Sequence, residues 1–228
     1  MTSGAAPLPA SDLDRLLERS HPDLTFTQGY GLTETSPLAD LVPFGHKEYT
    51  SVGFAVPNVQ HKVIDNENRV LGPNEVGELL IKGPNVMKGY KGNKQANDDA
   101  FTEDNYFKTG DLARIDELGQ VYIIDRLKEL IKVKGFQVPP AELESLLKEN
   151  DSVLDCAVVG ADDASSGEVP VAFVVLKEGH KPDEKKLINF IAERVAPFKK
   201  IKKVTFMDSI PKNPSGKILR RVLKDKYC

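Results

Sequence analysis

The chain has 228 residues, of which 40% are hydrophobic and 29% charged, and its formal net charge is −3. These values are typical of a folded chain long enough for one large domain or two small ones. The small net charge excludes no partner and indicates none. Two cysteines, Cys156 and Cys228, are too few for a disulfide framework and have no metal-binding spacing.

No apolar run is as long as a membrane span requires, and no apolar segment of the signal-peptide kind follows Met1. The C-terminal tripeptide is not a peroxisomal signal. We therefore expect no transmembrane segment and a reducing, cytoplasmic location.

The first half of the chain alternates short strands with turns. Ser11 is a predicted N-cap of a helix that ends before Pro22, and a short strand at Thr25 leads into a Gly-Tyr-Gly segment. Gln60–Ile64 and Glu78–Lys82 are predicted strands. Residues 112–115 and 121–124 form a predicted hairpin, with Asp111 at the end of its first strand. This spacing predicts a β-rich, barrel-like element.

From about residue 130 the pattern changes to a complete small α+β domain. Pro140 is placed at the first position of a helix, and Asp183 is placed to cap a second one. Further strands are predicted at residues 131–133, 154–159, 169–176 and 203–207, with a final helix at 218–226. The fold class predicted for the whole chain is α+β.

The last thirty residues are basic, with ten lysines and arginines against two aspartates. A segment of this kind is either a solvated face or a surface that binds anions, such as nucleic acid, a phosphate ligand or a membrane. Charge alone does not decide between these alternatives.

Four motifs together carry a specific resemblance, although any one of them alone would be weak. They are TFTQGYGLTE at 25–34, YFKTGD at 106–111, DRLKELIKVKGFQV at 125–138 and PKNPSGK at 211–217. In this order and spacing they resemble the late motifs of adenylate-forming enzymes, which include acyl-CoA synthetases, 4-coumarate–CoA ligases and luciferases. The third motif is most similar to the 4-coumarate–CoA ligase and luciferase branch. The resemblance extends over nearly the whole chain.

The resemblance implies a two-step ligase reaction. A carboxylic acid reacts with ATP and Mg²⁺ to give an acyl-adenylate, and coenzyme A then displaces AMP. It further implies that residues 1–125 are the last, incomplete subdomain of the adenylation domain and that residues 126–228 are the mobile C-terminal domain. The expected partners are an aromatic or fatty acid, ATP and coenzyme A, with no nucleic acid.

The same resemblance implies a set of site residues. Lys217 would bridge the carboxylate and the α-phosphate, while Asp111 and Arg126 suit ribose or phosphate contacts. Alternative interpretations are a surface lysine for Lys217, a mutual ion pair for Asp111 and Arg126, and the wet side of a strand for Lys132. The full set is catalytic Lys217, Lys132 and Gln137; nucleotide-binding Ala5, Ala6, Gly29, Tyr30, Thr33, Asp111 and Arg126; hinge Lys128; coenzyme A-binding Lys134 and Gly135; and the metal ligand Glu34.

One family feature is absent from the sequence. The Ser/Thr/Gly-rich loop that holds the β- and γ-phosphates of ATP does not occur in these 228 residues, and no G-x-x-x-x-G-K motif replaces it. We therefore expect a truncated chain with weak or no activity alone. A luciferase-like oxidation and a non-catalytic nucleotide, coenzyme A or protein-binding module remain alternatives. The sequence determines neither the acyl substrate nor the oligomeric state.

Overall fold

The computed structural model describes residues 1–4, 10–21, 23–46, 50–214 and 216–228. The chain forms two compact units, one of Met1–Leu8 with Leu17–Leu127 and one of Pro9–Leu16 with Lys128–Cys228. Each unit has its own hydrophobic core. The predicted assignment of 1–125 and 126–228 to two domains of a parent enzyme stays a prediction. None of the helices in the described ranges has the length and apolar character to cross a membrane.

The first unit contains two open sheets. The first sheet has the order β1 to β4, with β1 parallel to β2 and the other pairs antiparallel, and the second is an antiparallel meander of β5 to β8. The strands are β1 (Thr2–Ser3), β2 (Thr27–Gly31), β3 (Leu38–Leu41), β4 (Phe54–Ala55), β5 (Gln60–Ile64), β6 (Gly77–Lys82), β7 (Phe107–Ile115) and β8 (Val121–Arg126). The predicted α+β class is confirmed, but in the described part of the chain no sheet closes into a barrel.

A hydrophobic cluster of this unit packs on one face of the meander. Its fully buried members include Leu79 and Ile81 on β6 and Ala113 on β7. The two β6 residues are two positions apart, so their side chains point to the same face of the strand. Burying a leucine or isoleucine of this kind contributes about 1.5–3 kcal/mol. This face fixes β6 and β7, and with them the segment that carries Asp111.

The second unit is one five-stranded sheet with helices packed on it. Its order is β10-β9-β12-β11, and β13 pairs in parallel with β12. The strands are β9 (Ile131–Val133), β10 (Phe136–Val138), β11 (Val153–Asp163), β12 (Gly167–Leu176) and β13 (Lys203–Phe206). The helices in the described ranges are α1 (Ala10–Glu18), α2 (Lys94–Ala100), α3 (Pro140–Lys148), α4 (Glu184–Ala192) and α5 (Arg220–Tyr227); α3, α4 and α5 lie in this unit, and so does α1 as far as Leu16.

The two long strands of the second unit are buried on both faces. On β11, Val158 joins a cluster with residues of α3 and α4, while Ala157 and Val159 join a second cluster with Leu223 of α5. The apolar runs in the sequence have no polar alternation because both faces are covered. Cys156 is buried, and burial raises the pKa of its thiol.

Two local expectations were wrong, and one helix was not predicted. Asp111 lies in the middle of β7 rather than at the end of a strand. Ser11 lies inside α1, which begins at Ala10, so it is not the N-cap. The sequence analysis also placed no helix at Lys94–Ala100, where Asn93 caps α2 by accepting a hydrogen bond from the Ala96 amide at 3.1 Å.

Candidate functional site

Asp111 is a buried carboxylate that receives a short hydrogen bond from Tyr30. The phenol hydroxyl donates to Asp111 Oδ2 at 2.6 Å, although the two residues are 81 positions apart. Desolvation of the phenol raises the pKa of Tyr30, and the negative charge of Asp111 raises it further. Tyr30 therefore stays protonated, and its hydroxyl donates to the Asp111 carboxylate.

The strand geometry around Asp111 is irregular on both sides. The β6–β7 register shifts between Glu78 and Leu80, and the β7–β8 register shifts between Leu112 and Ala113. Such bulges redirect side chains and often lie beside functional sites. Gly110, at φ +71°, donates its amide to Glu78 Oε1 at 3.1 Å, which fixes the backbone just before Asp111.

Arg126 is the cross-strand partner of Asp111 in the β7–β8 pair. Its Nε lies 3.5 Å from Asp111 Oδ1, and its side chain is 54% exposed. The ion-pair interpretation of these two residues thus describes an observed contact. An exposed guanidinium beside a buried carboxylate still has donors that face solvent, so the contact is compatible with a ligand role for both.

The glycines on either side of Tyr30 serve the packing of the chain itself. Gly29 pairs with Leu41 on β3, and neither Gly29 nor Gly31 has a positive φ. A Cβ on Gly31 would lie 1.8 Å from the carbonyl oxygen of Pro37. The glycine at 31 is therefore required by a backbone contact, and the predicted nucleotide contact of Gly29 stays a prediction.

Thr33 and Glu34 begin the short 3-10 helix that follows β2. Thr33 is exposed, and Glu34 Oε1 accepts a hydrogen bond from the Tyr90 hydroxyl at 2.9 Å. Within the described ranges, no group of three or more His, Cys, Asp or Glu side chains is placed to hold a metal ion. Glu34 thus offers a single carboxylate, which is compatible with Mg²⁺ only if phosphates and water supply its other ligands.

In the second unit, Lys132 and Gln137 face each other across the β9–β10 hairpin. They form a register pair, both side chains are exposed, and the Lys132 amide donates to Glu168 Oε2 at 2.9 Å. Lys134 and Gly135 are the two turn residues, with φ +50° and +85°. Positive φ at both positions is the geometry of a tight hairpin turn, which favours glycine.

Lys217 lies in a loop closed by an antiparallel bridge between Lys212 and Ile218. Its amide donates to Asn213 Oδ1 at 2.9 Å, and its carbonyl accepts from the Asn213 amide at 2.9 Å. The Lys217 side chain is exposed. Lys128, the predicted hinge, lies exposed in the 3-10 turn Leu127–Glu129.

Comparisons with known proteins identify the family. The family model described as AMP-binding enzyme matches residues 1–91, and that described as AMP-binding enzyme C-terminal domain matches residues 142–217. This chain belongs to the AMP-binding enzyme family. It is 46% identical over 227 residues to 4-coumarate–CoA ligase-like 2 of Arabidopsis thaliana, covering 98% of this chain and 40% of that relative.

Solved structures with 35% sequence identity to this chain share its fold. ATP-bound MatB from Rhodopseudomonas palustris has a TM-score of 0.93 at 35% identity, covering 99% of this chain and 45% of that one. MenE, an o-succinylbenzoate CoA synthetase from Bacillus subtilis, was solved with its acyl-adenylate intermediate. It has a TM-score of 0.85 at 35% identity, covering 98% of this chain and 45% of that one. The chain therefore spans less than half the length of these relatives.

The sequence analysis missed two residues that hold predicted site residues in place. Tyr90 donates a hydrogen bond to Glu34, which lies 56 positions away in the sequence, and no local sequence pattern predicts such a pair. Asn213, by contrast, stands in an Asn-Pro-Ser-Gly segment, where an asparagine side chain often bonds a nearby backbone amide. Ala5 and Ala6 lie outside the described residues, so their predicted role stays a prediction.

Proposed function

We propose that the chain takes part in the ATP-dependent ligation of a carboxylic acid to coenzyme A. Family membership supports adenylate chemistry, and the ligase names of the relatives support coenzyme A as the acceptor. In the first step, a carboxylate oxygen attacks the α-phosphorus of ATP and pyrophosphate leaves. In the second, the thiol sulfur of coenzyme A attacks the acyl carbon, AMP leaves and the thiol proton passes to solvent.

The single observation that carries the proposal is the arrangement of Asp111 with Tyr30 and Arg126. A carboxylate that is buried and oriented by a phenol can accept hydrogen bonds from two ribose hydroxyls. The half-exposed guanidinium of Arg126 supplies donors for the ribose or a phosphate. In this proposal Tyr30 also packs against the adenine, and Thr33 donates to the α-phosphate.

Mg²⁺ fits the proposed site only as an ion held largely by the substrate. Glu34 would supply one ligand, with phosphate oxygens and water as the others. When bound, the ion would neutralise phosphate charge during pyrophosphate departure.

The second unit contributes lysines to both steps of the proposed reaction. The ammonium of Lys217 would offset the repulsion between the carboxylate and the α-phosphate, and loss of such a donor costs about 10²–10³ in rate. Lys132 and Gln137, which face each other on the exposed hairpin, would act in the transfer to coenzyme A. Lys134 and Gly135 would line the approach of its pantetheine arm, and Lys128 would be the pivot between the two steps.

The two lysine roles separate in a half-reaction assay. The purified chain is mixed with a preformed acyl-adenylate and coenzyme A, and thioester and AMP are measured for a coumaroyl and a fatty acyl group. We expect Lys132→Ala to slow transfer and Lys217→Ala to leave it unchanged, because Lys217 acts only in adenylate formation. Transfer that neither substitution alters, or that proceeds no faster than without protein, contradicts the proposal.

A further inference from the structure

Arg220 is a largely buried cation that has no role in the proposed reaction. It is the first residue of α5 and follows Lys217 by three positions, and its side chain is 16% exposed. Its Nε donates to Glu129 Oε2 at 2.6 Å, and its Nη2 donates to Glu144 Oε2 at 3.0 Å. Its Nη1 donates to Glu144 Oε1 and, at 3.0 Å, to the carbonyl oxygen of Val158.

The acceptors of Arg220 belong to three separate elements. Glu129 ends the 3-10 turn that contains Lys128, Glu144 lies in α3 and Val158 lies in β11. Glu144 Oε1 also accepts the Val158 amide at 2.7 Å. Burial alone would lower the pKa of Arg220, but its hydrogen bonds and its attraction to Glu144 and Glu129 outweigh this and raise the pKa. The guanidinium of Arg220 is planar and its donors are bonded in this way, so the side chain has little freedom to rotate.

The loop before Arg220 is fastened at its other end as well. Lys212 Nζ donates to Asp155 Oδ2 on β11 at 2.6 Å. Asn213 then holds the backbone of Lys217 through two hydrogen bonds. The segment 212–220 is therefore anchored on both sides of Lys217, and the anchor on the C-terminal side also reaches Glu129, next to the predicted pivot.

We propose that Arg220 is a positioning residue that joins the Lys217 loop to the segment after Lys128, so that both move as one body. The inference rests on the proposed function, because the bond between Arg220 and Glu129 affects the reaction only if Lys217 acts on the carboxylate and the α-phosphate. Rotation at Lys128 then changes the position of the Lys217 backbone directly. Without the Glu129 bond, the loop retains the Glu144 clamp but loses its direct side-chain bond to the turn that contains Lys128.

The test replaces Glu129 and keeps the rest of the cluster. Glu129→Gln removes the charge from a side chain that is 33% exposed, while the two hydrogen bonds between Arg220 and Glu144 remain. Folding is thus preserved in a way that Arg220→Ala would not ensure. Arg221→Gln is the matched control, because that side chain is 93% exposed and forms an ion pair with Asp225 on its own helix.

The first readout is chemical labelling of Lys217 by a tagged acyl phosphate of AMP. The Lys217 amine attacks the acyl carbon, the bond from that carbon to the phosphate oxygen breaks, AMP leaves and a proton passes to solvent. Peptide mass spectrometry then quantifies the amide at residue 217. We expect Glu129→Gln to reduce this labelling about tenfold or more, since small displacements cost positioned reactions heavily, and Arg221→Gln to leave it unchanged.

The second readout needs no nucleotide. Hydrogen exchange at the Lys217 amide, which bonds Asn213, should become about tenfold faster in Glu129→Gln, while core amides of β12 exchange at the rate of the unmodified chain. A merely stabilising ion pair would instead change the core amides and the loop together. Arg221→Gln should change neither.

The two readouts separate failure of the inference from failure of the proposed function. If Lys217 of the unmodified chain is labelled but Glu129→Gln alters neither its labelling nor its exchange, the inference is overturned. If exchange responds as expected and Lys217 of the unmodified chain is not labelled, the mechanical link stands and the catalytic role proposed for Lys217 fails.

Discussion

Asp111 shows at the scale of one residue how burial and pairing prepare a carboxylate for a ligand. Its side chain is 6% exposed, so it is desolvated before any nucleotide binds. Tyr30 donates to one oxygen, and Arg126 lies beside the other. Because the carboxylate is already desolvated in the folded chain, a ligand that bonds it adds little further desolvation cost at this group.

The Tyr30 bond should be measurable in stability. Tyr30→Phe removes a donor from a buried carboxylate, and we expect the free energy of unfolding in urea to fall by about 1–3 kcal/mol. Tyr106→Phe is the control, because that hydroxyl bonds Gln60 in an exposed contact at 3.1 Å and should matter less. Equal effects of the two substitutions would show that the Tyr30–Asp111 hydrogen bond stabilises the fold no more than an exposed hydrogen bond does.

A second buried pair, Asp40 and His61, has no role in the proposed reaction. His61 Nδ1 lies 3.5 Å from Asp40 Oδ1, with side chains 5% and 0% exposed. In the described structure, both carboxylate oxygens and His61 Nε2 lack a hydrogen-bond partner. Burial raises the pKa of Asp40 from 3.8 to about 8 and lowers the pKa of His61 from 6.5 to about 4.

The two pKa shifts change the free energy of unfolding in opposite directions as the pH rises. The raised pKa of Asp40 contributes stability that is lost as pH rises from 3.8 towards 8, and the lowered pKa of His61 contributes stability that is lost as pH falls from 6.5 towards 4. Between about pH 4 and 6.5 the slopes cancel, since the folded and unfolded pairs each hold one proton. Between 6.5 and 8 only the folded pair keeps its proton, so stability falls as pH rises.

We therefore expect the free energy of unfolding to drop by about 1.4 kcal/mol per pH unit between pH 6.5 and 8. In Asp40→Asn only His61 titrates, so the sensitive range should move to pH 4–6.5 and stability should fall towards acid. Urea unfolding at several pH values measures both profiles. Superimposable profiles for the unmodified chain and Asp40→Asn would refute this account of the pair.

At the scale of elements, the β9–β10 hairpin carries Lys132 and Gln137 on a turn that depends on one glycine. Gly135 has φ +85°, and no atom lies within 4 Å of a Cβ built on it. Gly135→Ala should therefore lower the free energy of unfolding by about 1–2 kcal/mol through backbone strain alone. Lys134→Gly relieves the same strain at φ +50° and should stabilise the hairpin. Both changes are measured by urea unfolding, and destabilisation by Lys134→Gly would contradict this reading of the turn.

Elements with strong local signals could be predicted from the sequence. Pro140 begins α3 and Asp183 caps α4, as expected, and the apolar runs of β11 and β12 are buried strands. The sequence of helix α2, KQANDDA, has no apolar residues at helical spacing. Its one local signal is the capping residue Asn93. The position of Asp111 within β7 depends on two bulges set by pairing with β6 and β8, and local sequence does not encode such pairing.

At the scale of the whole molecule, the sequence motifs predicted the family but not the contacts among their residues. Asp111 and Tyr30 belong to different motifs, and only the folded chain shows that they bond. Likewise, the pairing of Lys132 with Gln137 follows from the register of a hairpin. Roles carried over from the resemblance remain proposals until the residues are changed.

The missing phosphate loop leads to a prediction for the polypeptide assayed alone. Because these 228 residues contain no Ser/Thr/Gly-rich loop for the β- and γ-phosphates, we expect little ATP–pyrophosphate exchange. Measuring exchange of labelled pyrophosphate into ATP tests this, with Lys217→Ala as the background control. Robust exchange that Lys217→Ala abolishes would show that the loop is dispensable.

The most direct test of the central claim is calorimetric titration of the chain with a non-hydrolysable acyl-adenylate analogue. We expect saturable binding that Asp111→Asn weakens by about tenfold or more, since hydrogen bonds to a charged group contribute about 1.5–3 kcal/mol. Asp116→Asn, an acidic residue in the turn after β7, should bind as the unmodified chain does. Absence of binding, or binding that Asp111→Asn leaves unchanged, would contradict the assignment of the adenylate site.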